Sequence, residues 1–420
     1  MIQTIELFPG IILRCCRSDR FKQGCLSVQF LRKMCREEAA INALIPALLL
    51  RGTKSCPDLR AITLRLDDLY GAAVGTQVRR VGDYQTTGLY CGFMEDAYAL
   101  PGDQVLEPMV AFLGELLFCP VLENGIFRAD FVESEKRNLS LAIEAQRNDK
   151  RVYAAGRLLE KMCSADSFGI PRLGTREEEE KITPQRAYDH YRKVLRESPV
   201  EIFYVGAAQP EQVAALIKPL FARLDRSYVN LPPQTGFSDP PGGSQCEEMD
   251  VAQGRLGMGF VTDITLRDHR FAAMQVANVL FGGGMTSKLF MQIREEQSLC
   301  YDIGSGYQGS KGIVTVTAGI DFDKEAAVKA QVLELLRQCA AGEFTEEELI
   351  SAKQALISQL QGIHDSAGAI ENYYVSGVLS GMDKTPEEYI RAVEKVTAEA
   401  AAQAAGTLQL HTQYFLKGVR

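Results

Sequence analysis

Short segments of this chain recur in the same order in its two halves, and a tandem duplication admits few folds. Gly92-Phe93, closing one β-like run, corresponds to Gly319-Ile320, and Gln104-Val105-Leu106-Glu107 recurs at the same offset as Gln331-Val332-Leu333-Glu334. Later matches shift together, as one short deletion in the second half requires. Phe131, Glu133 and Glu135 resemble Phe344, Glu346 and Glu348, Ile182-Thr183 resembles Val396-Thr397, and Tyr204-Val205-Gly206 resembles Leu416-Lys417-Gly418. Each match alone is weak, but their fixed order is hard to obtain by chance. The 420 residues exceed what one compact core usually holds, and two domains of roughly 200 residues follow. Between them, Leu231-Pro232-Pro233-Gln234-Thr235-Gly236 and Asp239-Pro240-Pro241-Gly242-Gly243 cannot continue a helix or a central strand. The predicted organisation is a domain over residues 1–228, a linker over 229–245 and a second domain over 246–420.

Within each half the strand and helix signals are segregated, not strictly alternating. Ile313-Val314-Thr315-Val316-Thr317 and Ile202-Phe203-Tyr204-Val205 are short and rich in β-formers, which predicts strands. Over Glu325 to Cys339, Val328, Val332, Leu335, Leu336 and Cys339 fall at the spacing of one buried helix face. Thr345 with Glu348 and Thr385 with Glu388 have capping-box spacing, and Thr183-Pro184 sets a cap residue before a proline at the first helical position. The Glu177 to Glu180 run reads as a solvated helix start. The predicted fold class is α+β: two tandem homologous sandwich domains, each a mainly antiparallel sheet covered by helices.

Composition excludes several functions. Hydrophobic residues make up 46% and charged residues 24%, with a net charge of −8 and both signs interspersed. No basic run tracks a phosphate backbone, so nucleic acid is not an expected partner. The longest apolar stretch, Ile41 to Leu50, is about half of a bilayer span, and the first twenty residues carry Glu6, Arg14 and Asp19 without an apolar signal core. No membrane association and a cytoplasmic location are expected. Eleven cysteines without a C-x-x-C fit buried or free thiols better than a disulfide framework, and Cys15 and Cys16 read as strand residues.

The segment Phe281-Gly282-Gly283-Gly284-Met285-Thr286-Ser287-Lys288-Leu289-Phe290, continuing through Ile293-Arg294-Glu295-Glu296-Gln297-Ser298-Leu299-Cys300-Tyr301, resembles the second-domain signature of the insulinase (pitrilysin) metallopeptidase family. That signature is a Gly-Gly turn, Ser-Arg-Leu-Phe opening a helix, Arg-Glu, then Leu-Ala-Tyr and a strand. Lys288 stands for the usual Arg and Cys300 for the usual Ala. A phosphate-cradling loop is a poorer reading, since it needs Gly before Lys and Ser or Thr after it, whereas Ser287 precedes Lys288 and Leu289 follows.

The family's chemistry belongs to its first domain. There, His-x-x-Glu-His on one helix places two imidazoles on the same face to grip zinc, while the Glu polarises the bound water. Leu50-Arg51-Gly52-Thr53 resembles the Lys-Gly-Thr that follows this motif. Counting back, the two His positions fall on Ala43 and Ala47 and the Glu on Pro46. With Glu135 as the first Glu of the downstream helix, the distant acidic ligand falls on Ala142, or on Glu144 after a two-residue slip. The only histidines are His190, His269, His364 and His411, and no two are close enough to pair on a helix. No metal or other cofactor is expected, and no catalytic residue.

The resemblance implies a chamber between the halves, with Arg294 and Tyr301 at the positions from which the family's second domain contacts bound peptide. The plainer alternative is that Arg294 pairs with Glu295 or Asp302, that Tyr301 belongs to the core, and that Gly282 to Gly284 make a tight helix-linking turn. The expected function is a catalytically silent, processing-peptidase-like subunit that forms a chamber for peptide or unfolded polypeptide with an active zinc-bearing paralogue, as a heterodimer. Two alternatives stand beside it: a stand-alone scaffold or regulatory protein, as a homodimer, and a metallopeptidase with an atypical site.

Overall fold

The structure, a computed structural model, describes residues 2–232, 235–237, 242–382 and 384–419. The first half runs β1 (Ile2–Phe8), β2 (Ile11–Arg17), β3 (Gln23–Lys33), α1 (Arg36–Leu49), α2 (Leu59–Asp67), β4 (Ala73–Val81), β5 (Tyr84–Met94), α3 (Leu106–Phe118), a small hairpin of β6 (Leu122–Glu123) and β7 (Ile126–Phe127), α4 (Ala129–Asn148), α5 (Lys150–Met162), α6 (Arg176–Glu180), α7 (Pro184–Glu197), β8 (Val200–Gly206) and α8 (Pro210–Phe221). The second half runs β9 (Gly243–Met249), β10 (Gly254–Val261), α9 (Phe271–Phe281), a π-helix (Leu289–Glu296), β11 (Asp302–Gln308), β12 (Ile313–Ile320), α10 (Glu325–Ala341), α11 (Glu346–Gly362), α12 (Ala367–Ser380), α13 (Pro386–Glu394), α14 (Ala398–Gly406) and β13 (Gln409–Gly418).

The fold is α+β, with helices covering sheets. Sheet order is β1-β2-β8-β3-β5-β4 in the first half and β9-β13-β10-β12-β11 in the second, so the second repeats the first without β1. Only β2 with β8 and β9 with β13 are parallel in these two sheets. Every residue of β8 is buried, as a strand between two neighbours with both faces covered requires.

Of the predicted linker, Pro233, Gln234, Ser238, Asp239, Pro240 and Pro241 lie outside the described residues. Strand β9 starts at Gly243, inside the stretch read as linker, because Gly243 pairs with Thr412 through backbone alone.

Local signals translate directly into helices. The buried residues of α10 are Val328, Val332, Leu335, Leu336 and Cys339. Capping boxes open α11 at Thr345 and α13 at Thr385, and Thr183 caps α7 ahead of Pro184. The glutamate run does open a helix, but Glu179 is buried and accepts from Ser140 Oγ at 2.8 Å. The eleven cysteines form no disulfide among the described residues.

The two halves share a detail that sequence matching misplaced. Lys136 Nζ donates to the carbonyls of Glu180 and Ile182, and Lys353 Nζ to those of Glu394 and Val396. Aligning these lysines sets Phe131 against Glu348, not Phe344, a slip of one helical turn that leaves the apolar face unchanged. Gln104 precedes α3 whereas Gln331 lies inside α10, so that four-residue match joins non-equivalent places.

Two compact packing units emerge, and each takes a helix from the other half of the sequence. One comprises residues 1–144, 170–232 and 364–379, the other 145–169, 233–363 and 380–420. In the first unit α12 packs Val375 and Leu379 against Leu31, Val81 and Phe203. Its Glu371 accepts from Ser27 Oγ at 2.6 Å and from Arg79 at 3.1 and 2.8 Å. In the second unit α5 packs Ala154 and Leu158 against Tyr414 and Leu416. Glycines on β10 admit it, since a Cβ at Gly259 would lie 2.5 Å from Met162 Sδ. Tyr153 and Arg157 of α5 then bond Glu247 of β9.

Candidate functional site

The positions read from the sequence as a degenerate motif lie on α1, where Ala43 and Ala47 stand one turn apart and half-buried while Pro46 is buried within the helix. Neither alanine carries a donor atom, and proline has neither acid nor base. Pro46 also removes the N–H that would bond the Asn42 carbonyl four residues back. Thr87 Oγ1 on β5 repairs this loss, donating to Asn42 O at 2.7 Å.

The Asn42 side chain continues the repair. Its Nδ2 donates to Gln85 Oε1 at 2.9 Å, and Gln85 Nε2 donates to the carbonyls of Ala39 and Arg172. With the amide so oriented, Asn42 Oδ1 accepts, and His190 Nε2 on α7, 2.7 Å away, carries the proton. Burial pushes the His190 pKa down to about 4, although Glu38 opposes the shift. Glu38 itself is held below the usual carboxylate range by Lys193 and Arg32, against the effect of its burial. The histidine nearest the motif is therefore neutral, with Nε2 committed to Asn42.

The chain beyond α1 keeps a rigid shape without metal. Gly52 has no room for a Cβ, which would meet Pro57 O at 2.6 Å. Thr53 is buried and donates to Glu115 Oε1 at 2.7 Å. Arg51 pairs with Glu135 of α4 at 3.1 Å, so the first acidic position of the downstream helix serves an ion pair. Two turns further on, Ala142 is exposed, as is Glu144. Ala43, Pro46, Ala47 and Ala142 do not fit a zinc ion, and Glu144 alone would not hold one. Among the described residues, no three His, Cys, Asp or Glu side chains come together to hold a metal.

In the second unit, Gly282 to Gly284 link α9 to the π-helix. A Cβ on Gly282 would lie 2.6 Å from Leu289 Cδ1, and one on Gly283 2.7 Å from Val279 Cα. Ser287 Oγ donates to Gly284 O at 2.6 Å, and buried Lys288 pairs with Glu348 at 3.0 Å. Arg294 pairs with Glu295 at 3.2 Å and lies over the Phe290 ring, while Asp302 is taken by Arg255. Tyr301 is not core: it is 59% exposed, and its hydroxyl donates to Asp321 at 2.9 Å. That bond raises the phenol pKa. The sequence reading missed the repair by Thr87, Asn42 and His190, since nothing local marks those residues as neighbours.

Residues 181–356 match the family described as Peptidase M16 inactive domain. Over 412 residues, 97% of this chain and 96% of the other, the sequence is 29% identical to "Probable inactive metalloprotease YmfF" of Bacillus subtilis. The chain is similar to M16 metallopeptidase homologues and carries no His-x-x-Glu-His motif. A conserved protein from Enterococcus faecalis V583 has a crystal structure similar to this chain, with a TM-score of 0.91 at 28% identity over 100% of this chain and 99% of that one. The peptidase M16 inactive domain from Pseudomonas fluorescens shares the fold, with a TM-score of 0.82 at 17% identity over 100% and 98% of the two chains. No helix among the described residues is long and apolar enough to cross a membrane.

Proposed function

We propose that this M16 homologue is a non-catalytic companion subunit that forms a peptide-binding chamber with a zinc-bearing paralogue. The observation that carries the reading is α1, whose motif positions hold Ala43, Pro46 and Ala47 and whose Asn42 carbonyl is served by Thr87 in place of the missing N–H. A site repaired around a proline favours a scaffold over hydrolysis.

In this reading Arg294 and Tyr301 bind substrate. Arg offers a planar fork to a peptide carbonyl or carboxylate, and Tyr a flat apolar face with a hydroxyl. The exposure of Tyr301 and the 40% exposure of the Arg294 side chain support that role.

The test is zinc content and peptide hydrolysis by the purified chain alone and mixed with a zinc-bearing M16 paralogue from the same organism. No zinc alone, activity rising only in the mixture, and a raised KM there for R294A and Y301A are expected. Stoichiometric zinc and turnover by the chain alone would overturn the proposal.

A further inference from the structure

The first unit holds a cavity of about 530 Å³ under α7, lined by none of the degenerate motif residues. Five cationic side chains but only two carboxylates line it, in a chain whose net charge is −8. Two of the cations are spent: Lys193 pairs with Glu38 and Arg196 with Glu197, each at 2.7 Å. Three are not. Arg192 hydrogen-bonds Tyr188 and, like Lys54 and Arg223, has no ion-pair partner among the described residues. Of the carboxylates, Asp189 accepts from Gln185 Nε2 at 2.8 Å, and Asp225 faces the cavity alongside Arg223.

Unpaired cations normally stand apart on a surface, where water screens them. Three collected in one concavity focus a positive potential. The volume lies in the range of small-ligand sites, roughly 300–1,000 Å³. Arginine forks match the paired oxygens of phosphate or carboxylate, and the Phe118 and Tyr188 rings offer an apolar wall to the rest of such a molecule. We infer that this cavity binds a small organic polyanion through Lys54, Arg192 and Arg223. The inference does not depend on a partner subunit or on the chamber.

The experiment is calorimetric titration of the full chain at low salt with two probes, inorganic pyrophosphate and citrate. Saturable binding at one site per chain is expected for at least one probe, weakening by about tenfold or more in the K54A/R223A double variant and unchanged in the exposed control R60A. Binding of pyrophosphate alone identifies a phosphate ligand, and binding of citrate alone a carboxylate. Both side chains at the double-variant positions are exposed, and an unchanged thermal melt would confirm that the fold survives their loss. Failure of both probes, or equal weakening in R60A, would overturn the inference. Zinc content and peptidase activity in the mixture are separate readouts.

Discussion

At the scale of single residues, the consequence of a proline inside α1 is a buried backbone carbonyl, that of Asn42, that needs a new donor. Thr87 supplies it, so T87V should destabilise the protein by about 1–3 kcal/mol, the cost of an unsatisfied buried acceptor. In a P46A background the restored N–H can serve the Asn42 carbonyl, and T87V should then cost clearly less. Urea unfolding of the four proteins in this cycle measures the coupling. His190 supplies a pH dependence. Its pKa is about 4 in the folded state against roughly 6.5 when unfolded, so between these values the unfolded chain binds more protons. Stability should fall as pH drops through that window, by on the order of 3 kcal/mol in total. H190Q retains an N–H donor without titrating, and its stability curve over the same window should be flatter by that amount.

At the scale of elements, helices were legible where a short-range rule decides them. The α10 face and the caps at Thr345, Thr385 and Thr183 depend only on neighbours along one turn. The docking of α12 was not legible, because its anchor, Glu371, meets Ser27 and Arg79 across most of the chain. Glu371 is 1% exposed whereas its partner Arg79 retains 20%. E371A should cost about 2–4 kcal/mol, less than a fully buried pair because Arg79 stays in partial contact with water. Hydrogen exchange should rise along α12 well before the central strands. Equal protection of α12 in E371A and the parent would contradict this anchoring.

At the scale of the whole molecule, the exchanged helices tie folding of the two halves together. A fragment of residues 1–228 lacks α12 and leaves Leu31, Val81 and Phe203 uncovered, while residues 246–420 lack α5 and uncover Tyr414 and Leu416. Neither fragment should give a cooperative melt alone, and coexpression should recover both in soluble form. Independent, cooperative folding of either fragment would show that the exchanged helix is dispensable. Restoring the motif tests the metal logic at this scale as well. A43H/P46E/A47H should bind zinc weakly, and adding A142E should tighten it, read by metal competition, because the third protein ligand has to come from α4.

The sequence by itself determined the duplication, the α+β class and the absence of a histidine pair at helical spacing, since those depend on the order of apolar residues and on which side chains carry donor atoms. An alanine cannot bind zinc in any fold. Tertiary structure alone decided that Thr87, Asn42 and His190 repair α1, that Tyr301 is exposed, and that α5 and α12 pack in units remote from their sequence neighbours. These outcomes depend on which surfaces meet after the chain closes on itself, and local spacing carries no record of those meetings.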